Sequence, residues 1–173
     1  MRVVNTIRPA TPQDAGALHQ LVRAHVKEGH LLPRDLDEIS RHADRFVVAE
    51  RGGEIKACAE LAPLSTKVAE VRSLVVATDL RRSGVAARLI EELRDRARGL
   101  GFVTFCAFTH DARFFVKQGF SIVPHVWVPE KISTNCLSCA LFRRCGQYAM
   151  VQPLQPVARY APADADAGRI AVA

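Results

Sequence analysis

The chain has 173 residues, 49% hydrophobic and 24% charged, which suits one globular domain with a real core and is short for two. Its formal net charge of +6 would suit a polyanion, yet the basic residues are scattered and aromatics make up only 6%, so no stacking platform for nucleic acid is expected. No apolar run approaches the ~18 residues of a membrane span and residues 1–10 lack a signal-peptide core, so no membrane partner and a cytoplasmic location are expected.

Residues 7–14 read as the end of a short strand and the start of a helix. Thr11 is placed to cap that helix, Pro12 suits its first position, and Asp14 supplies an acid near the positive dipole end. Leu18, Leu21, Val22 and His25 or Val26 follow at helical spacing and carry the helix to about residue 28. A second helix begins at Asp35, with Glu38 three residues on. Residues 46–50 and 54–61 are strands joined by Gly52 and Gly53, a hairpin signal, and residues 68–76 form a further β run. Val85, Leu89, Leu93, Ala97 and Leu100 mark one face of a long helix that ends near Gly101.

Residues 102–108 read as a buried strand, 111–118 as a short helix stopped by Gly119, and 120–123 as another strand. Residues 136–145 are compact and irregular, and 148–151 return to the sheet. The reading places one domain over residues 1–154, with a cysteine-bearing extension at 124–152. From residue 155 Pro, Ala and Asp dominate without periodicity, so 155–173 read as a flexible tail. The order β-α-α-β-β-β-α-β-α-β, with a central hairpin, predicts an α/β (α+β) sandwich rather than a doubly wound fold. Only the stretch ending in the 102–108 strand has the βαβ crossover of a parallel pair.

The chemistry concentrates where the 68–76 strand gives way to the long helix. The loop Arg81-Arg82-Ser83-Gly84 runs into Val85, Ala86 and Ala87 at the helix start. A glycine loop at a helix N-terminus aims unpaired backbone N–H groups and the positive dipole end at one point, as a pyrophosphate requires. Gly84 lets backbone approach closely, and Arg81 and Arg82 bring charge. The spacing R-x-x-G-x-A, in its strand–loop–helix context, resembles the acetyl-CoA loop of the GNAT acyltransferases. Two further segments share the resemblance: Glu70 just ahead of the Val71–Val76 run, and Phe114-Phe115 followed by Gly119-Phe120, similar to the family's F-[FY]-x-x-x-G-F element.

A narrower resemblance covers residues 5–152. The runs His30-Leu31-Leu32-Pro33-Arg34, Ala69-Glu70-Val71-Arg72-Ser73-Leu74 and Val128-Pro129-Glu130-Lys131 are followed by Cys136-x2-Cys139-x5-Cys145-x3-Ala149-Met150. The same elements stand in the same order in the short, stand-alone bacterial N-acetylglutamate synthases. That resemblance implies a GNAT fold, a mixed central sheet with helices on both faces and a splayed strand pair that holds acetyl-CoA. It also implies transfer of the acetyl group to the α-amine of L-glutamate, the first step of arginine biosynthesis. Homodimers are common in the superfamily.

On the same resemblance, the backbone around Leu74, Val75 and Val76 binds the pantetheine arm and polarises the thioester carbonyl. Phe114 lies beneath the thioester, and Glu70 is the candidate base, directly or through a water. Arg34, Arg72 and Lys131 surround an acidic acceptor, since an arginine holds a carboxylate bidentately; each also reads as an ordinary surface or ion-pair residue. His110, after the 102–108 strand, is a candidate for the acceptor pocket. Many superfamily members carry tyrosine where this chain has Phe115, so the acid that protonates the leaving thiolate is unassigned. Arg82 stands where the family more often has glycine.

Cys58 and Cys106 fall in apparent strands and read as small core residues. Cys136, Cys139 and Cys145, with His125 as a candidate fourth ligand, suggest a zinc site, an iron–sulfur cluster or a reduced, packed loop, and the incomplete ligand set leaves no metal assigned. Two other functions stay open at this point: a GNAT enzyme for another small amine or a protein amine, where a basic substrate would want acidic pocket residues, and a non-catalytic domain that binds acetyl-CoA.

Overall fold

The alternation in Phe46-Val47-Val48-Ala49 decides the layering. Val47 and Ala49 enter one core and Phe46 and Val48 another, as they must when successive side chains of a strand leave opposite faces. The computed structural model describes residues 6–28 and 31–156. In chain order these form β1 (Thr6–Pro9), α1 (Ala15–Val26), α2 (Leu36–Arg41), β2 (Phe46–Arg51), β3 (Glu54–Pro63) and β4 (Val68–Val76). Then follow α3 (Val85–Gly99), β5 (Thr104–Thr109), α4 (Ala112–Lys117), β6 (Ser121–Val123) and β7 (Tyr148–Pro153). His30 and residues 157–173, most of the expected tail, lie outside the described residues.

One seven-stranded sheet runs in the order β1-β2-β3-β4-β5-β7-β6. Leu89, Ile90, Leu93 and Ala97 of α3 close one face over Val47, Ala49, Ala57 and Ala59. Leu18 and Val22 of α1, with Ile39 of α2, close the other over Phe46, Val48 and Cys58. Helices therefore lie on both faces of a mixed sheet, as the resemblance implies. Gly52 and Gly53, at φ 62 and 80, turn the β2–β3 hairpin, a conformation that side chains with a Cβ adopt reluctantly.

Local differences from the sequence reading have physical causes. Residues 12–14 form a 3-10 turn ahead of α1, held by Thr11 N–H donating to Asp14 Oδ2 at 2.7 Å. The strand expected from residue 102 starts at Thr104, because the Phe102 N–H closes the end of α3 on Ala97 O at 3.0 Å. The return strand β7 inserts between β5 and β6, antiparallel to both.

The joint at the centre of the sheet matters most. β4 and β5 are parallel and pair only from Val68 with Thr104 to Val71 with Ala107. Beyond that point β4 runs on to Val76 and β5 to Thr109 without pairing each other. The cause is visible in β4: Cys58 faces Val75 while Glu60 faces Arg72, so β4 carries one extra residue, and Ser73 takes φ 48. A bulge of this kind bends its strand and raises its twist, which opens the pair into a V.

Candidate functional site

A 590 Å3 cavity fills the V. Its wall on one side is β4 from Glu70 to Val76, faced by the 31–34 segment that links α1 to α2. Phe108, Thr109, Phe114 and Phe115 form the opposite wall. Lys131 and Asn135 close the inner end; they come from a helical turn, Pro129–Lys131, that runs into a π-helical stretch, Ile132–Cys136. The edge of β4 that turns away from β3 has no ladder partner past Val71, so backbone groups around Leu74, Val75 and Val76 can bond an extended chain laid in the V.

Glu70 is 3% exposed and stands where the four-residue pairing ends. A carboxylate this deep needs its charge answered. Lys131 Nζ donates to both of its oxygens, at 2.7 and 2.9 Å, and Arg72 Nε donates to Oε2 at 2.7 Å. Arg72 is braced in turn by donating through Nη2 to Asn135 Oδ1. Lys131 also sits 5.2 Å from the centre of the Phe108 ring. The strand and the 129–136 segment thus bring together the expected Glu70, Arg72 and Lys131.

Arg34 reaches the same cavity in a different state from the one expected. Its Nε and Nη2 donate to the Glu38 carboxylate at 3.1 and 2.8 Å. Its Nη1 donates to Glu60 at 2.7 Å and to Ser73 Oγ at 3.0 Å. Four of the five guanidinium N–H groups are engaged, so the bidentate fork anticipated for an acceptor carboxylate is already held by Glu38. The hydrogen bonds from Arg34 in turn hold the Glu38 carboxyl below the usual carboxylate range, against the opposing pull of burial.

At the cavity mouth the glycine loop takes the expected form. Gly84 has φ 84 and nothing lies within 4 Å of where a Cβ would stand, so its backbone is open to approach. Arg82 also adopts a left-handed φ of 63, the conformation for which the family's more usual glycine is suited. Ser83 Oγ donates to Leu80 O at 2.6 Å, and the first N–H groups of α3, at Val85, Ala86 and Ala87, precede its first full helical bond, Arg88 N to Gly84 O. Arg81 pairs with Glu28 at 2.7 Å, both partners nearly half exposed, a weak and screened contact.

Phe115 is buried edge-on between Phe114 and Phe120, with ring centres 5.1 and 5.3 Å away. No hydroxyl stands at that position. His110 is exposed, outside the cavity lining, and lies against Gly146. Among the described residues no group of three His, Cys, Asp or Glu side chains is arranged to hold a metal, so Cys136, Cys139, Cys145 and His125 do not form the ligand set that their spacing allowed. Cys136 is partly buried and Cys139 and Cys145 are exposed free thiols. The His125 ring packs 5.7 Å from Phe108. Cys58 and Cys106 are buried as expected, and burial pushes the Cys58 thiol up to about 12.

Four partners in this network escaped the sequence reading: Glu38 and Ser73 as side-chain acceptors, Glu60, and Asn135. Glu60 did leave a signal, a charge set inside the apolar run 57–62 of β3. Asn135 left none, since nothing in its neighbourhood predicts the π-helical stretch that turns it toward Arg72.

Comparison with known proteins accords with this architecture. The model of the acetyltransferase (GNAT) family matches residues 15–120. An uncharacterized N-acetyltransferase of Chlorobaculum tepidum is 29% identical over 148 residues, 86% of this chain and 96% of its own length. The amino-acid acetyltransferase of Pseudomonas aeruginosa is 35% identical over 116 residues, 66% of this chain but only 27% of that longer protein. Among solved structures, N-acetylglutamate synthase from Neisseria gonorrhoeae, complexed with coenzyme A and N-acetyl-glutamate, superposes with a TM-score of 0.78 at 24% identity, over 90% of this chain and 36% of that one. The chain belongs to the acetyltransferase (GNAT) family.

Proposed function

We propose that this acetyltransferase moves the acetyl group of acetyl-CoA onto the α-amine of L-glutamate. The names of the P. aeruginosa and N. gonorrhoeae proteins support an amino-acid acceptor. One observation carries the reading: Arg72 and Lys131, two cations suited to carboxylates, meet a buried carboxylate at the apex of the V, beside the unpaired edge of β4. The residues fit acetyl-CoA. The unpaired edge suits an amide-bearing arm, and the open Gly84 turn at the α3 N-terminus suits a pyrophosphate.

The roles divide as follows. Leu74, Val75 and Val76 offer backbone groups to the arm and to the thioester oxygen. Arg81, Arg82 and Ser83 with the N–H groups of Gly84, Val85, Ala86 and Ala87 hold phosphate, and Phe114 packs against the thioester end. Arg72 and Lys131 orient the acceptor carboxylates, with Arg34 lining the same cavity, and this fixes the amine for attack. Glu70 takes the first proton from the acceptor ammonium, assistance typically worth ~10²–10⁴ in rate. Acetyl-CoA supplies the thioester: its C–S bond breaks as the amide C–N bond forms, and the second amine proton ends on the departing sulfur. With Phe115 apolar, that transfer runs through water.

The test is CoA release by the purified protein with acetyl-CoA and, separately, glutamate, glutamine, aspartate and a polyamine. Selective turnover of glutamate is the expected result. Preference for glutamine would keep the amino-acid acceptor and move the specificity. Turnover only with the polyamine, or acetyl-CoA binding without turnover on any amine, would overturn the acceptor assignment.

A further inference from the structure

Among the described residues, each arginine and lysine that lines the cavity is already answered. Arg34 is held by Glu38 and Glu60, Arg81 by Glu28, and Arg72 and Lys131 by the same carboxylate, Glu70. A carboxylate offers about four lone-pair sites, and Glu70 has given three of them, two to Lys131 and one to Arg72. In this state Glu70 has one site left for an ammonium, and the two cations meant for an acceptor have their charge engaged elsewhere.

We infer that the acceptor enters by exchange: its carboxylates take Arg72 and Lys131 from Glu70, and the released Glu70 turns to the acceptor ammonium. The inference rests on the acidic-acceptor reading above and adds the order of events inside the site. Glu70 is then a stand-in for the substrate carboxylate when the site is empty, and becomes a proton acceptor only when an anion displaces it. The exchange conserves ionic contacts. The two cations trade one carboxylate for another, and Glu70 trades two cations for one ammonium, so no buried charge is left alone. Proton transfer follows with its balance unchanged: an N–H bond of the ammonium breaks, and the proton goes to a Glu70 oxygen. Asn135 and the Phe108 ring keep Arg72 and Lys131 in place while their partner changes.

An ordinary clamp and an exchange differ in sign when Glu70 is neutralised. If Glu70 merely fixes Arg72 and Lys131 in position, Glu70→Gln loosens them and weakens anion binding. If Glu70 competes with the acceptor, Glu70→Gln removes the competitor. The experiment is calorimetric titration of the CoA-loaded wild type and Glu70→Gln with glutarate, a dicarboxylate with no amine, beside turnover of glutamate by both.

The expected result is glutarate binding about tenfold tighter to Glu70→Gln, in the range of coupling seen between contacting groups, together with a large loss of kcat. Wild-type turnover of glutamate with unchanged or weaker glutarate binding in the variant overturns the exchange and leaves the acceptor reading standing. Absence of both glutamate turnover and glutarate binding in the wild type overturns the acceptor reading, and the exchange with it. Should Glu70→Gln fail to fold, Glu70→Asp asks the same question: its shorter carboxylate reaches Arg72 and Lys131 less well, so glutarate binds tighter than to the wild type if exchange operates, and no tighter if Glu70 is only a clamp.

Discussion

Glu60 shows how much a single buried charge can organise. At 1% exposure its carboxylate has left water altogether, and it is met by the Arg34 guanidinium at 2.7 Å. The same guanidinium nitrogen bonds Ser73 at the bulge, so Glu60 ties the 31–34 segment to the point where β4 leaves β5. Replacing Glu60 by Gln keeps the shape and removes the charge. The expected cost is about 2 kcal/mol, the scale of a hydrogen bond to a charged group, read as a lower urea midpoint with an unchanged slope. The KM for the acceptor should rise while that for acetyl-CoA holds, because the tethered segment faces the acceptor end. An unchanged midpoint would show that Glu38 alone suffices to answer Arg34. Such partners explain what was legible residue by residue. Glu70, Arg72, Lys131 and Arg34 sit in recognisable runs and were named from them. Arg34–Glu60 and Arg72–Asn135 span 26 and 63 positions, and no local pattern encodes a contact at that separation.

At the scale of elements, the loop between β4 and α3 carries two left-handed residues, and only one is glycine. Gly84 adopts φ 84 without a steric penalty, whereas Arg82 holds φ 63 with a Cβ. A left-handed residue with a Cβ costs roughly 1–2 kcal/mol, a cost that is tolerable if the arginine charge serves a phosphate. Arg82→Gly should therefore separate the two effects. The melting temperature should rise by about 2–4 °C per kcal/mol regained, as for domains of this size, and the KM for acetyl-CoA should rise with it. A higher melting temperature with an unchanged KM would leave Arg82 no part in cofactor binding. This loop was readable because glycine position and helix start are local signals, and so were the hairpin at Gly52 and Gly53 and the apolar face of α3. The 129–136 segment was not. Its π-helical turn depends on docking Lys131 and Asn135 against β4, a tertiary contact that overrides local preference.

For the molecule as a whole, the site is also the seam. Strands β1 to β4 with α1 and α2 lie on one side, and β5, β7 and β6 with α4 on the other. Four register pairs between β4 and β5 join the two sides along the sheet, and α3, with the turn that precedes it, carries the chain across. Glu70 and Arg72 belong to one side, whereas Lys131, Asn135 and Phe114 belong to the other, so the cavity closes only where both are in register. A ligand laid in the V takes the place of the missing ladder and bonds groups that no strand satisfies. Hydrogen exchange should show this directly. On adding CoA, deuterium uptake should fall on both sides of the seam, in residues 72–76 and in 108–115, as well as in the first turn of α3. The β2–β3 hairpin turn should exchange as before, since its bonds are already made on one side of the seam. Protection confined to the first turn of α3 would mean that CoA is held by its phosphates alone and that the V does not grip the pantetheine arm. Protection in both walls would make ligand binding the step that completes the sheet.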